Sequence, residues 1–122
     1  KPEQSRMTIV VKGDEHILDQ IQKQLSKLQE VIGIKKCEKL SSVQREMGLI
    51  KVRAEANNRG TIIETCDIYK ARIVDVGLES VIIEITGSEE KIESLLRLLE
   101  PYGILEYVRT GITSLDRGSA VM

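Results

Sequence analysis

VIIEITGSEEKIESLLRLL, residues 81–99, combines a strand, a turn and a helix, and it decides the fold of this chain. Its first six residues are mostly Val and Ile, which favour a strand. Gly87-Ser88-Glu89-Glu90 then supplies the breaker, the cap and the acidic first turn that open a helix. Aliphatic residues at helical spacing predict that this helix buries one face: Ile92, Leu95, Leu96 and Leu99.

The flanking sequence supplies the remaining elements of one domain. Gly77-Leu78-Glu79-Ser80 predicts a hairpin that leads into the strand at 81–86. Pro101-Tyr102-Gly103 ends the helix, and a polar connector is expected at 41–45. The other elements expected are a strand at 47–56, a helix with Ile62, Ile63, Cys66 and Tyr69 on its apolar face, a strand at 72–76, and a strand region at 104–115 interrupted at Gly111.

The order of elements across residues 46–115 is therefore strand, helix, strand, strand, helix, strand. This order is typical of the ferredoxin-like βαββαβ fold. The expected product is a four-stranded antiparallel sheet with two helices on one face. The sequence thus predicts the α+β class.

The first forty residues repeat the second half of this pattern. MTIVVKGDEHILDQIQKQL, beginning at Met7, aligns with residues 81–99 at an offset of 74, and Gly13 falls on Gly87. A strand at 7–12, a helix and a strand running through 31–40 are expected. We interpret this βαβ segment as the second half of another ferredoxin-like unit, of which the first half is missing from the sequence.

Composition narrows the class of protein. The chain has 122 residues, 41% hydrophobic and 30% charged, which predicts a folded globular protein. A net charge of −1 and the absence of Trp and Phe argue against nucleic-acid binding. No apolar run reaches the length of a membrane span, and no signal-peptide pattern opens the sequence. The expected location is the cytoplasm of a bacterium or archaeon, or an organellar matrix.

Residue types that carry chemistry are sparse. His16 is the only histidine, so neither a conventional triad nor a zinc site can be assembled around it. Cys66 falls on the apolar face of a predicted helix, which indicates a buried, inert thiol. Cys37 and Asp75 are interpreted as ordinary strand residues. We therefore predict no catalytic residue and no metal ligand in this chain.

The loop NNRGT, residues 57–61, is the one candidate anion site. Asn58 and Arg59 lie where backbone N–H groups open a helix, and the guanidinium adds positive charge. Small acyl-phosphatases of ferredoxin-like fold use an arginine in the equivalent first loop. A small hydrolase using Arg59 is therefore one alternative function, and a ferredoxin-like ligand-sensing module of another pathway is a second.

Residues 46–118 closely resemble the C-terminal domain of the small regulatory subunit of acetolactate synthase, also called acetohydroxyacid synthase. Residues 5–36 resemble the second half of the ACT domain that precedes it in the same family. The motifs that carry the first resemblance are Glu46, Leu49, Lys51-Val52, Ala71 with VDV at 74–76, Ser80, EITG at 84–87, Lys91, PYGI at 101–104, RTG at 109–111 and RG at 117–118.

This resemblance implies a domain organisation and a set of contacts. Residues 1–41 are expected to be the second half of an ACT domain, 46–118 the C-terminal domain and 119–122 a tail. The effector-binding residues are not assigned, because the family's main effector loop lies outside this sequence. Candidate contacts to a partner or an anion are Asn58, Arg59, Arg109 and Arg117.

The resemblance also implies a non-catalytic function. Small subunits of this family bind and activate a catalytic subunit that uses thiamine diphosphate, magnesium and FAD. With a complete ACT domain they mediate feedback inhibition by valine or a related branched-chain amino acid. Their ACT domains pair side by side, so a homodimer or higher oligomer is expected.

Overall fold

The computed structural model describes residues 7–9, 15–28, 33–34 and 41–119. The chain divides into two compact units, one comprising Lys1–Val43 with Ser114–Met122 and the other Gln44–Thr113. The elements along the described residues are α1 (Glu15–Ser26), β1 (Ser42–Arg53), α2 (Arg59–Ile68), β2 (Arg72–Val76), β3 (Ser80–Gly87), α3 (Glu89–Leu99), a 3₁₀ turn (Glu100–Tyr102), β4 (Ile104–Arg109) and β5 (Thr113–Asp116).

The second unit has the ferredoxin-like fold that the sequence predicts. Its strands lie in the order β2-β3-β1-β4, and each neighbouring pair is antiparallel. The two central strands, β1 and β3, are in register along eight residues, from Glu46 opposite Gly87 to Arg53 opposite Ser80. The predicted fold class is confirmed.

One face of this sheet packs against α2 and α3 to form the core. Alternate residues of the central strands point to this face, and burial there removes apolar surface from water. The buried hydrophobic residues are Ile50, Val52, Ala54, Ile62, Cys66, Val81, Ile83, Ile85, Ile92, Leu95 and Leu99.

Helix α3 begins as the sequence predicts. Ser88 is its N-cap, and the hydroxyl accepts a hydrogen bond from the backbone N–H of Lys91 at 3.2 Å. Glu89 and Glu90 occupy the first turn, where carboxylates are favoured by the helix dipole. Helix α1 begins at Glu15. The offset of 74 aligns this residue with Glu89, the first residue of α3, so the helix expected from the repeat is confirmed.

Both bounds expected for the first strand of the second unit, 47 and 56, were wrong, because β1 runs from Ser42 to Arg53. The connector expected at 41–45 is instead the start of β1, which begins at Ser42. Its polar residues are held by strand pairing with β5, and the N–H of Arg117 donates to the carbonyl of Ser41 at 2.9 Å. Pairing across strands can outweigh a polar local pattern.

The strands expected in the first unit are also absent from the residues that the structure describes there. The structure has no strand at 7–9 or at 33–34, although both fall within predicted strands. The side chains of Met7 and Ile9 are 82% and 55% exposed, so these residues lack the buried face that favours a strand. Residues 10–12, 31–32 and 35–40 lie outside the described residues.

The last strand region is divided as predicted. Strand β4 ends at Arg109 and β5 begins at Thr113. Between them Gly111 has a φ of +86°, a left-handed conformation that glycine adopts without steric cost. The glycine interrupts the strand because no L side chain favours that backbone geometry.

Candidate functional site

The residues predicted to contact a partner or an anion belong to three different segments of the chain. Asn58 and Arg59 are at the start of α2, Arg109 is the last residue of β4, and Arg117 follows β5.

One nitrogen of the Arg59 guanidinium, Nη2, is committed to the backbone of its own unit. Its Nη2 atom donates to the carbonyl oxygens of Ala54 at 3.0 Å, Gly77 at 2.8 Å and Leu78 at 2.9 Å. These carbonyls belong to the end of β1 and to the turn between β2 and β3. Arg59 therefore fastens that turn to the central strand, and an anion at Nη2 would have to compete with three carbonyl oxygens.

Replacing Arg59 by methionine is expected to lower the free energy of unfolding by about 1–3 kcal/mol. The reason is that three carbonyl oxygens lose a charged donor. Chemical denaturation would measure the effect. Arg72→Met, at an exposed arginine of β2, is the matched control and should change stability by about 0.5 kcal/mol or less. Equal effects of the two substitutions would contradict a fastening role for Arg59.

The side chain of Asn58 is also used locally. Its Oδ1 atom accepts a hydrogen bond from the backbone N–H of Glu55 at 2.8 Å. Asn58 occupies the N-cap position of α2 but makes no side-chain hydrogen bond to that helix. The loop is therefore ordered by its own side chains, and the acyl-phosphatase alternative gains no support from this geometry.

Arg109 forms a charged cluster with two carboxylates. Its Nε atom donates to Oε1 of Glu46 at 2.8 Å, and its Nη2 atom contacts the same oxygen. Nη1 lies 3.7 Å from Oε1 of Glu93 on α3. The hydrogen bond to Glu46 raises the pKa of Arg109, with the charges of Glu46 and the neighbouring glutamates acting in the same direction. The cluster ties β4 to β1 and α3.

Arg59 and Arg109 do not form one site. Arg109 contacts Glu46 near the start of the central strand, whereas Arg59 contacts Ala54 just beyond its end. At roughly 3.3 Å per residue, these two points on the strand lie about 26 Å apart. Arg117 is exposed and belongs to the other unit. The four candidates therefore remain separate predictions.

The thiol of Cys66 has the environment of a core residue. Its side chain is 2% exposed, and burial raises its pKa to about 11, with the charge of Asp67 adding to the effect. A thiol protonated at neutral pH is a poor nucleophile. His16, on α1, is exposed.

Within the described ranges, no group of three or more His, Cys, Asp or Glu side chains is placed to hold a metal ion. Of the helices described, none is both long and apolar enough to cross a membrane.

The sequence patterns did not reveal an exposed apolar surface on β4. Leu105, Tyr107 and Val108 are 50%, 50% and 57% exposed. An open groove of about 710 Å³ lies between this strand and α3, and its lining includes Tyr107, Arg97 and Glu100. This surface follows from the strand order, which places β4 at the edge of the sheet and which local sequence patterns do not give.

Two family models match the chain in succession. The model described as the small subunit of acetolactate synthase matches residues 45–118. The model described as the AHAS small subunit-like ACT domain matches residues 1–33. Together the two matches cover most of the sequence.

Individual relatives agree with these models. The acetolactate synthase small subunit of Mycolicibacterium smegmatis is 54% identical over 114 residues, covering 93% of this chain and 67% of the relative. The probable acetolactate synthase small subunit of Archaeoglobus fulgidus is 48% identical over 115 residues, covering 94% of this chain and 72% of the relative.

A solved structure shows the same fold. The acetolactate synthase small subunit from Thermotoga maritima superposes with a TM-score of 0.80 at 38% sequence identity. The match covers 89% of this chain and 68% of the Thermotoga chain.

Proposed function

The chain belongs to the acetolactate synthase small subunit family, and from this premise we propose that it binds and activates the catalytic subunit of that enzyme. The observation that carries the proposal is the succession of the two family matches, an ACT-domain model at 1–33 and a small-subunit model at 45–118. A member of this family is a non-catalytic subunit. The chemistry then belongs to the partner chain.

The cofactors follow from the same proposal. Thiamine diphosphate, magnesium and FAD would be held by the catalytic subunit, and this chain would hold none of them. This chain would contribute a protein surface that binds the active conformation of the catalytic subunit more tightly than the inactive one. A binding partner shifts a conformational equilibrium only by as much as its affinities for the two conformations differ.

The regulatory part of the proposal concerns an amino-acid effector. With a complete ACT domain, the subunit would mediate feedback inhibition by valine or a related branched-chain amino acid. The ACT-domain match at 1–33 supports this class of effector site. Paired ACT domains would make the subunit a homodimer or a higher oligomer.

Reconstitution with a purified catalytic subunit tests the proposal. Acetolactate formation from pyruvate would be measured with the catalytic subunit alone, with this chain alone, and with both, all supplied with the three cofactors. We expect no turnover by this chain alone and a several-fold higher rate from the mixture, together with co-elution on size exclusion. Heat-denatured chain at the same concentration serves as the control for a non-specific effect of added protein.

An unchanged rate without co-elution at micromolar concentrations would contradict the proposal. Valine added to the active mixture tests the effector separately. Inhibition that requires this chain would support feedback regulation, and inhibition of the catalytic subunit alone would contradict it.

A further inference from the structure

The turn between β2 and β3 displays a leucine that the fold of the second unit does not use. The side chain of Leu78 is 97% exposed, the highest value among the large hydrophobic residues that the structure describes. A single apolar side chain on a protein surface is ordinary, so its exposure alone indicates no function. Leu78 differs from the other exposed residues in the backbone that holds it.

Every carbonyl of this turn accepts a hydrogen bond from a neighbouring element. Nη2 of Arg59 donates to the carbonyls of Gly77 and Leu78 at 2.8 and 2.9 Å. The backbone N–H of Ala54, just after β1, donates to the carbonyl of Glu79 at 2.9 Å. A partner that contacts Leu78 therefore meets a turn that is already fixed, and binding costs little further backbone entropy.

Two carboxylates lie beside the leucine. Glu79 is the next residue, and Glu55 follows the residue whose N–H is bonded to the Glu79 carbonyl. Both glutamates are exposed, and within residues 41–119 neither forms an ion pair. The arginines on the adjoining elements are directed elsewhere, because Nη2 of Arg59 donates to carbonyl oxygens and Arg53 lies beside the glycine that precedes β4. The surface around Leu78 is thus apolar at its centre and acidic at its rim.

We propose that Leu78 anchors the second unit to the catalytic subunit by inserting into an apolar pocket of that subunit that is rimmed by basic side chains. The inference rests on the proposed function, because it takes the catalytic subunit as the partner. An apolar anchor inside a polar rim is the usual anatomy of a protein interface. A second copy of this chain would bring another acidic rim against the first, so like charges oppose self-association through this turn.

Binding of the full chain to the purified catalytic subunit tests the anchor. Leu78→Ala is expected to raise the dissociation constant by about thirtyfold, because most of a buried aliphatic side chain is lost from the interface. Ile68→Ala is the matched control, since that side chain is 79% exposed and lies at the other end of α2 from Arg59. It should change the dissociation constant by less than about twofold. Both side chains are exposed, so neither substitution should lower the melting temperature of the free chain.

Arg59 is expected to act on binding through Leu78. Arg59→Met should raise the dissociation constant by about fivefold, because the released turn must then be ordered when the partner binds. In the Leu78→Ala background the same substitution should have an effect of less than about twofold, since no anchor remains to be positioned. An arginine that only stabilises the fold would weaken binding equally in both backgrounds, and that result would contradict the positioning role.

Charge reversal tests the chemistry of the partner pocket. Glu79→Lys should slow association by about tenfold at low ionic strength, and the difference should shrink in about 0.5 M salt. Glu64→Lys is the matched control, because that glutamate is exposed on α2 and carries the same charge. Its effect on the association rate should be less than about twofold.

The results separate the anchor from the proposed function. If the parent chain binds the catalytic subunit and Leu78→Ala binds as tightly as Ile68→Ala, the anchor is wrong and the proposed function stands. If the parent chain does not bind at all, the proposed function fails and the anchor fails with it. Faster association of Glu79→Lys would show that the pocket has an acidic rim, contrary to the proposal.

Discussion

Cys66→Asp is expected to lower the free energy of unfolding by about 4 kcal/mol at pH 7, the largest effect of any single change considered. The side chain is 2% exposed and lies among the buried aliphatic residues of the core. A carboxylate there would lose its hydration without gaining an ionic partner. Since small domains are stable by about 5–15 kcal/mol, about 1–11 kcal/mol would remain, so the variant should stay mostly folded at 25 °C but melt at a clearly lower temperature.

The pH dependence of this variant has a definite sign. Burial raises the folded-state pKa of a carboxyl above its unfolded value of about 4. The folded state then binds a proton more readily than the unfolded state does. The penalty relative to the parent chain should therefore be full near neutral pH and should shrink as the pH falls through the raised value towards 4.

Thermal and chemical denaturation followed by circular dichroism would measure this difference. Ile68→Asp is the matched control, because it introduces the same charge two residues away on α2, where the side chain is 79% exposed. Cys66→Ala separates the effect of charge from the loss of volume. If Cys66→Asp were no more destabilising than Ile68→Asp, the assignment of Cys66 to the core would be wrong.

Local patterns were sufficient to predict the ferredoxin-like unit. Strand residues 81–86, the cap at Ser88 and the aliphatic spacing of α3 all favour the same structure, and the observed helix begins at the predicted residue. An element can be predicted from sequence when local propensity and tertiary packing favour the same structure. The repeat offset, applied to the bounds of α3, then locates α1 to within one residue at each end.

Features that depend on contacts between distant segments were not predictable in the same way. The start of β1 at Ser42 depends on pairing with β5, more than seventy positions along the chain. Arg59 looked like a free cation in a loop, but its partners are carbonyl oxygens at Ala54, Gly77 and Leu78. No local pattern specifies which carbonyls will converge on a guanidinium. The exposed edge of β4 similarly follows from strand order alone.

Arg109→Met is expected to lower the free energy of unfolding by about 3 kcal/mol, because it leaves a buried carboxylate unpaired. The side chain of Glu46 is 6% exposed, and its Oε1 atom accepts hydrogen bonds from Nε and Nη2 of Arg109. Replacing both partners should cost less than replacing Arg109 alone, since a buried ion pair exchanged for neutral groups is often close to neutral in stability. The double variant Glu46→Leu with Arg109→Met is thus expected to be more stable than Arg109→Met.

A double-mutant cycle over Glu46 and Arg109, measured by urea denaturation, would give a coupling energy of about 2 kcal/mol. Glu93→Gln is the control, because that carboxylate is half exposed and 3.7 Å away, and it should change stability by about 0.5 kcal/mol. The raised pKa of Arg109 means that its contribution is full below the ordinary arginine pKa and is lost only at more alkaline pH. The loss of stability caused by Arg109→Met should therefore be the same at pH 7 and pH 9. If the effects of the two single substitutions in the cycle were additive, Glu46 and Arg109 would not stabilise the fold as a pair.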